Sequence, residues 1–66
     1  MSIKKYRVLL DPLKMVIVKR HWPHTKIGRK GVVTGQASAE LAIHEVADEA
    51  GISEWLLKAV QIRGRP

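Results

Sequence analysis

The sequence predicts an α+β domain, in which an N-terminal β-hairpin or three-stranded antiparallel sheet is followed by a C-terminal helix-turn-helix pair. Two observations predict this fold. Before residue 36, short alternating or β-branched runs are separated by turn residues, as in strands. After residue 37, Ala, Leu and Glu are frequent and the apolar residues follow helical spacing. The 66 residues make one small domain near the lower limit for a self-sufficient core, so we expect a homodimer or a partner surface.

The predicted strands all lie in the first half of the chain. Residues 4–10 (KKYRVLL) alternate in the manner of a half-buried strand. Residues 14–20 (KMVIVKR) form a β-branched run, which predicts a second strand. Asp11-Pro12 is a turn signal, so these two strands could pair as a hairpin. Residues 31–34 (GVVT) predict a short third strand.

The predicted helices lie on either side of Gly51. Ser38 can cap the first helix, whose body is residues 41–50. Gly51 supplies the conformational freedom that a tight turn between helices requires. Ser53 is a good N-cap for a second helix that continues to Val60. Helix, turn and helix in this order predict a helix-turn-helix motif.

The segment IHEVADEAGIS, residues 43–53, resembles the opening of lac-repressor-family DNA-binding domains. In that family an apolar residue, two polar residues, Val-Ala, two further residues, Ala-Gly, an aliphatic residue and Ser follow in the same order. The resemblance supports the helix-turn-helix shape of these residues. If that motif reads the major groove, the outward side chains after the turn would face the bases: Glu54, Trp55, Lys58 and Gln61, with Ser53 and Arg63 available to phosphates. The alternative is a pair of helices that serves only packing.

The net charge of +6 is unevenly distributed along the chain. Residues 1–36 form a basic half with a sum of +8, and residues 37–62 form an acidic half with a sum of −4. In the basic half, the loop after Trp22 carries Lys26, Arg29 and Lys30, which could bind a nucleic-acid backbone. The same loop could instead be a solvated connection in which Trp22 folds back over the core.

The basic tail, residues 63–66, reads Arg63-Gly64-Arg65-Pro66 and matches the core of an AT-hook. In such a clip, Gly lets the backbone sit deep in a narrow minor groove while the two arginines spread along it. The alternative is a basic tail that serves only solubility. We expect Arg63 and Arg65 to form an auxiliary arm if the helix pair binds DNA.

Other kinds of site are not indicated. The chain has no cysteine, and His21-x-x-His24 contains Pro23 and has no evident third ligand, so we expect no metal and no cofactor. No nucleophile with its base and no acid–base pair is recognisable, so we do not expect an enzyme. Without a long apolar run or a signal-peptide core, the chain is expected to be cytoplasmic and not membrane-bound.

These patterns predict a small DNA-binding accessory or regulatory protein of bacterial or phage type, acting as a homodimer on double-stranded DNA. Two alternatives remain open. In the first, the acidic helices dock on a protein partner such as a host factor or RNA polymerase. In the second, VIVKRHWPHTKIGRKGVVTG belongs to an SH3-like barrel that binds RNA or a larger assembly, with LAIHEV as a further strand.

Overall fold

The computed structural model describes residues 2–28 and 30–63. It shows a three-stranded antiparallel sheet and two α-helices, which confirms the α+β class. In chain order the elements are β1 (Lys4–Leu10), α1 (Met15–His21), β2 (Val32–Gln36), α2 (Ala39–Ala50) and β3 (Leu57–Ile62). Short 3₁₀ turns at Pro12–Lys14 and Glu54–Leu56 lead into α1 and β3. The predicted order is wrong, because α1 lies between the first two strands and because a strand and not a helix comes last.

The first strand of the chain is the middle strand of the sheet. Both β2 and β3 pair antiparallel with β1, one on each side. Directly opposite residues of neighbouring strands point to the same face. The register sets Tyr6 opposite Thr34 and Gln61, which assigns these residues to one face. We call the face that carries Tyr6 the inner face and the face that carries Arg7 the outer face.

The hydrophobic core lies between the inner face and α2. Helix α2 connects β2 to β3 by crossing the sheet, and it contacts all three strands. Ala42 and Ala47 are buried where the helix meets the sheet, and their small side chains permit a close approach. The buried core residues are Tyr6, Val8, Ile27, Ala42, Val46, Ala47, Ile52 and Leu57. The half-buried strand predicted for residues 4–10 and the helix predicted for residues 41–50 are therefore confirmed.

The predicted hairpin is wrong, because residues 15–21 form a helix and not a strand. The Asp11 side chain accepts a hydrogen bond from the Leu13 backbone N–H, and Pro12 occupies the first position of the 3₁₀ turn. Asp-Pro thus starts a helical segment instead of closing a hairpin. Asp is a favoured N-cap residue, and Pro is favoured at the first helical position. Burial of Val18 in α1 outweighs the weak strand preference of its β-branched sequence.

The predicted second helix of the helix-turn-helix is also wrong. The first helix, its Ser38 cap and a left-handed Gly51 (φ 69°) are present as predicted. Ser53 accepts a hydrogen bond from the Trp55 N–H, but the helical turn that follows ends at Leu56. Residues 57–62 then form β3, because Leu57 and Ala59 alternate inward against β1. LAIHEV, a strand in the barrel alternative, lies within α2.

Neither α1 nor α2 is long and apolar enough to cross a membrane, and the same holds for every other helix in residues 2–28 and 30–63.

Candidate nucleic-acid interface

The outer face of the sheet carries a row of alternating cations and aliphatic side chains. Arg7 lies at its centre, opposite Val33 on β2 and Val60 on β3. Lys58 lies opposite Leu9. By this register the members of the outer face are Lys5, Arg7, Leu9, Val33, Gly35, Lys58, Val60 and Ile62. Val33 and Val60 are 48% and 49% exposed, so solvent reaches the middle of this face.

The carboxylates of α2 and the cations of the outer face lie on opposite sides of the sheet. Lys5, Arg7 and Lys58 lie on the outer face, and none of its described members is a carboxylate. The helix on the other side, α2, carries four carboxylates: Glu40, Glu45, Asp48 and Glu49. The Glu45 carboxylate accepts hydrogen bonds from the Thr34 hydroxyl and the Gln36 amide, which fixes it on the inner side of β2. A polyanion that approaches the outer face therefore meets cations first.

Arg7 is held in place from the turn that precedes β2. Its Nη1 donates a hydrogen bond to the Lys30 carbonyl oxygen at 2.8 Å. That turn is closed by a hydrogen bond from the Gly31 N–H to the Gly28 carbonyl oxygen at 3.0 Å. A guanidinium has five N–H donors in a planar fork, and a single one makes the bond to Lys30. The fork suits two oxygens of one phosphate or the edge of a guanine.

The predicted base-reading residues are not brought together. A helix would have aligned Trp55, Lys58 and Gln61 on one side, but a strand turns alternate residues to opposite faces. Lys58 lies on the outer face, while Gln61 lies opposite Tyr6 on the inner-face side. Trp55 precedes β3 and remains exposed, with Lys14 Nζ 4.3 Å from its indole ring centroid and 2.7 Å from its carbonyl oxygen.

The remaining predicted contacts are scattered over the molecule. Ser53 serves as the cap of the short turn before β3. Lys26 borders a shallow depression that it shares with Glu49 of α2, so it lies on the inner side of the sheet. Lys30 lies beside Arg7, and Arg63 follows directly after β3 and is exposed. Arg29 and Arg65 lie outside the described residues, as do the other residues of the proposed minor-groove clip beyond Arg63.

Lys5 and Arg7 are the cations of the outer face that the sequence did not identify as candidate site residues. Successive residues of a strand point to opposite faces, which sets both of them on the face opposite Tyr6 and Val8. The alternation of a strand does not show whether another element covers that face. In the structure α2 crosses the inner face, so the outer face stays uncovered by this helix. The cations of β1 then lie beside Lys58 of β3.

A second polar contact joins α2 to the turn before β3. His44 Nδ1 lies 3.0 Å from Glu54 Oε2, and both side chains are largely exposed. The hydrogen bond to Glu54, together with its negative charge, raises the pKa of His44 above its ordinary value. No group of three potential metal-ligating side chains lies together within residues 2–28 and 30–63. The contact therefore links α2 to the turn before β3, and among the described residues it is not part of a metal-binding cluster.

The outer face has the chemistry of a phosphate-binding surface and lacks that of a base-stacking surface. Its lysines and Arg7 can neutralise phosphates, but none of its described members is aromatic. No family model, curated protein or solved structure matches this chain. The function is therefore argued from the geometry of the sheet.

Proposed function

We propose that the protein is a small accessory or regulatory protein that binds double-stranded DNA through the outer face of its sheet. The observation that carries this proposal is the separation of charge. Lys5, Arg7 and Lys58 share the outer face, whereas the carboxylates of α2 lie on the opposite side. Duplex DNA carries one negative charge per roughly 1.7 Å of helix axis, so it is attracted to the outer face and repelled by α2.

The dimensions of the sheet support binding in the major groove. Neighbouring strands lie about 4.8 Å apart, so β2 and β3 are separated by about 10 Å. The major groove of B-DNA is about 12 Å wide, and strands are known to read it. In this orientation Arg7 points at the floor of the groove from the middle strand. Val33 and Val60 flank it and offer apolar contacts to thymine methyl groups.

Duplex DNA is favoured over single-stranded nucleic acid by the composition of the face. Proteins that bind single strands stack bases on aromatic side chains. Tyr6 lies on the buried inner face, Trp22 packs beside the core, and Trp55, which is 57% exposed, lies in the short turn before β3 with Lys14 against its ring. None of these three aromatic residues lies on the outer face. In a groove of duplex DNA, cationic side chains can contact the phosphates along both edges, and aliphatic side chains can contact the bases between them.

The test is a titration of fluorescent mixed-sequence duplex DNA at about 50 and 200 mM salt, a range over which phosphate contacts weaken strongly. The Lys5→Ala/Lys58→Ala variant should bind more weakly than the wild type. Its log–log salt slope should be shallower by about 2, since each phosphate contact contributes about 1.

The matched control is Lys19→Ala/Lys26→Ala, which removes the same charge from exposed positions outside the outer face. We expect this pair to leave the salt slope nearly unchanged. Equal losses in the two double variants would show that net charge alone is responsible and would overturn the proposal. A loss confined to Trp55→Ala/Gln61→Ala would instead support the residues expected of a helix-turn-helix.

A further inference from the structure

A groove lies between α1, the end of β1 and the loop that follows α1. Its volume is about 510 Å³, within the range of roughly 300–1,000 Å³ that is usual for small-molecule sites. Val18 and Ile27 are only 2% and 5% exposed, so the groove reaches buried side chains. We call it the α1 groove. The apolar residues that line it are Leu10, Met15, Val18, Trp22, Pro23 and Ile27.

Two polar side chains also line the α1 groove. Lys19 is exposed, and its ammonium group has no hydrogen-bond or ion-pair partner among residues 2–28 and 30–63. The Thr25 hydroxyl oxygen accepts a hydrogen bond from the Ile27 N–H at 3.3 Å, which leaves the hydroxyl proton able to donate. A groove that is largely apolar therefore has two hydrogen-bond donors, one of them charged.

The charges around the α1 groove favour an anion as its ligand. None of the residues that line it is a carboxylate. The sequence has no Asp or Glu between Asp11 and Glu40, a segment that supplies all the lining residues except Leu10. Glu49 of α2 shares a neighbouring depression with Lys26 but does not line the groove. An anion bound there would thus meet Lys19 without a competing carboxylate in the lining.

The size of the α1 groove favours a small molecule over a segment of a partner protein. One turn of an α-helix is about 10 Å wide and rises about 5.4 Å, so it occupies roughly 400 Å³. The groove could therefore hold little more than one turn of a partner helix. A molecule of one or two fused rings fits within this volume. Trp22 and Met15 favour such rings, because an indole and a thioether both make favourable contacts with aromatic groups.

We propose that the α1 groove binds a small aromatic carboxylate. Its rings lie among the apolar lining residues, and its carboxylate accepts hydrogen bonds from the Lys19 ammonium group and the Thr25 hydroxyl. Because Lys19 is exposed, the carboxylate stays at the rim of the groove, where it keeps part of its hydration. The inference goes beyond DNA binding and does not depend on it, since no residue of the groove belongs to the outer face.

The test is an NMR titration of the full-length, ¹⁵N-labelled protein with 2-naphthoate. The indole N–H signal of Trp22 should shift, and that of Trp55 should not, although Trp55 is 57% exposed. For a ligand of this size we expect a dissociation constant of about 0.1–1 mM. The control ligand is 2-naphthamide, which has nearly the same shape but no charge and should bind several-fold more weakly.

A pair of variants tests the role of the cation. Lys19→Met keeps the length and the apolar stem of the side chain but removes its charge. It should weaken binding of 2-naphthoate by about 2- to 5-fold, as expected for an exposed ion pair, and leave binding of 2-naphthamide unchanged. The matched control is Lys26→Met, which removes the same charge outside the groove and should bind both ligands like the wild type.

Four results would overturn the proposal. The first is a Trp22 signal that does not shift up to about 10 mM 2-naphthoate, well above the expected dissociation constant. The second is an equal shift of Trp22 and Trp55, which would indicate adsorption to any accessible aromatic ring. The third is equal affinity for 2-naphthoate and 2-naphthamide, which would show that the groove does not select an anion. The fourth is an equal loss of 2-naphthoate binding in Lys19→Met and Lys26→Met, which would show that net charge alone attracts the ligand.

Discussion

At the scale of single residues, Gly31 holds the end of the long loop against β1. Its φ is 71°, and a Cβ at this position would lie 2.3 Å from the Val8 carbonyl oxygen and 2.5 Å from Leu9 Cδ2. A side chain is therefore excluded by conformation and by contact with backbone. We predict that Gly31→Ala lowers the free energy of unfolding by on the order of 2–4 kcal/mol, measured by urea denaturation.

Two other glycines serve as graded controls for that prediction. Gly51 has a φ of 69° but free space at its Cβ position, so Gly51→Ala should cost only the left-handed backbone strain of about 1–2 kcal/mol. Gly28 has free space and no positive φ, so Gly28→Ala should change stability by less than about 0.5 kcal/mol. Equal effects at Gly28 and Gly31 would contradict the close approach to β1.

His44 supplies a prediction about pH. Its hydrogen bond to Glu54 raises the pKa of His44, so the folded protein holds this proton more tightly than the unfolded chain does. The resulting stabilisation is fully present below the ordinary histidine pKa of about 6.5 and is lost as pH rises through the raised pKa. We predict that an NMR titration of Glu54→Gln finds the His44 pKa shifted down toward its ordinary value.

The control for that titration is Glu49→Gln, which changes a carboxylate of α2 that does not contribute to the shift. It should leave the His44 pKa where it is in the wild type. A His44 pKa that is the same in Glu54→Gln and in the wild type would show that the contact does not persist in solution.

At the scale of elements, Glu45 fastens α2 to the edge strand β2. It accepts hydrogen bonds from Thr34 and Gln36, two inner-face residues of that strand. Hydrogen bonds to a charged acceptor stabilise more than neutral ones. We predict that Glu45→Ala lowers the free energy of unfolding by about 1–2 kcal/mol. The measurement is denaturant unfolding followed by circular dichroism.

The matched control is Glu49→Ala, on the same helix and exposed. It removes the same charge and gains the same helix propensity, and should change stability by less than about 0.5 kcal/mol. If Glu45→Ala behaves like Glu49→Ala, the contact to β2 contributes nothing measurable to the packing of α2.

The elements that the sequence predicted well are those that depend on interactions between residues close together in the chain. The Ser38 cap, the helical spacing of α2 and the Gly51 stop all act within one or two turns, and all are present. The sequence LKAVQI, residues 57–62, is ambiguous by comparison. Leu57 and Val60 fit a helical face, while Leu57 and Ala59 fit one face of a strand. Pairing with β1 decides between them, and no local pattern contains that information.

The same reasoning explains how much of the candidate site could be predicted. The sequence predicts Lys58 as an outward residue of a helix and Lys30 as a cation of the basic loop, and both lie on or beside the outer face. Their grouping with Arg7 depends on strand order, which brings residues from both ends of the chain side by side. Gln61 was grouped with Lys58 on the assumption of a helix, and the strand separates the two. Composition thus selected the residue types, and topology selected the surface.

At the scale of the whole molecule, the sheet lies between the cations of its outer face and the carboxylates of α2. A polyanion is therefore attracted to one side of the sheet and repelled by the helix on the other. We predict that this attraction falls as the salt concentration rises, because salt screens charges at the surface. Titrations of duplex DNA at several salt concentrations measure that fall.

The central position of β1 has a consequence for how the protein is made. Of the three strands, β1 is synthesised before the other two, yet one of its two partners is β3, and Lys5 pairs with Ile62. Until β3 is synthesised, one edge of β1 has no partner, and the inner face lacks the contribution of Leu57. Contacts between such distant parts of a chain slow folding, and unpaired edges invite aggregation. The sheet therefore stays incomplete while residues 37–56 are synthesised, and its native pairing forms only after β3 has been made.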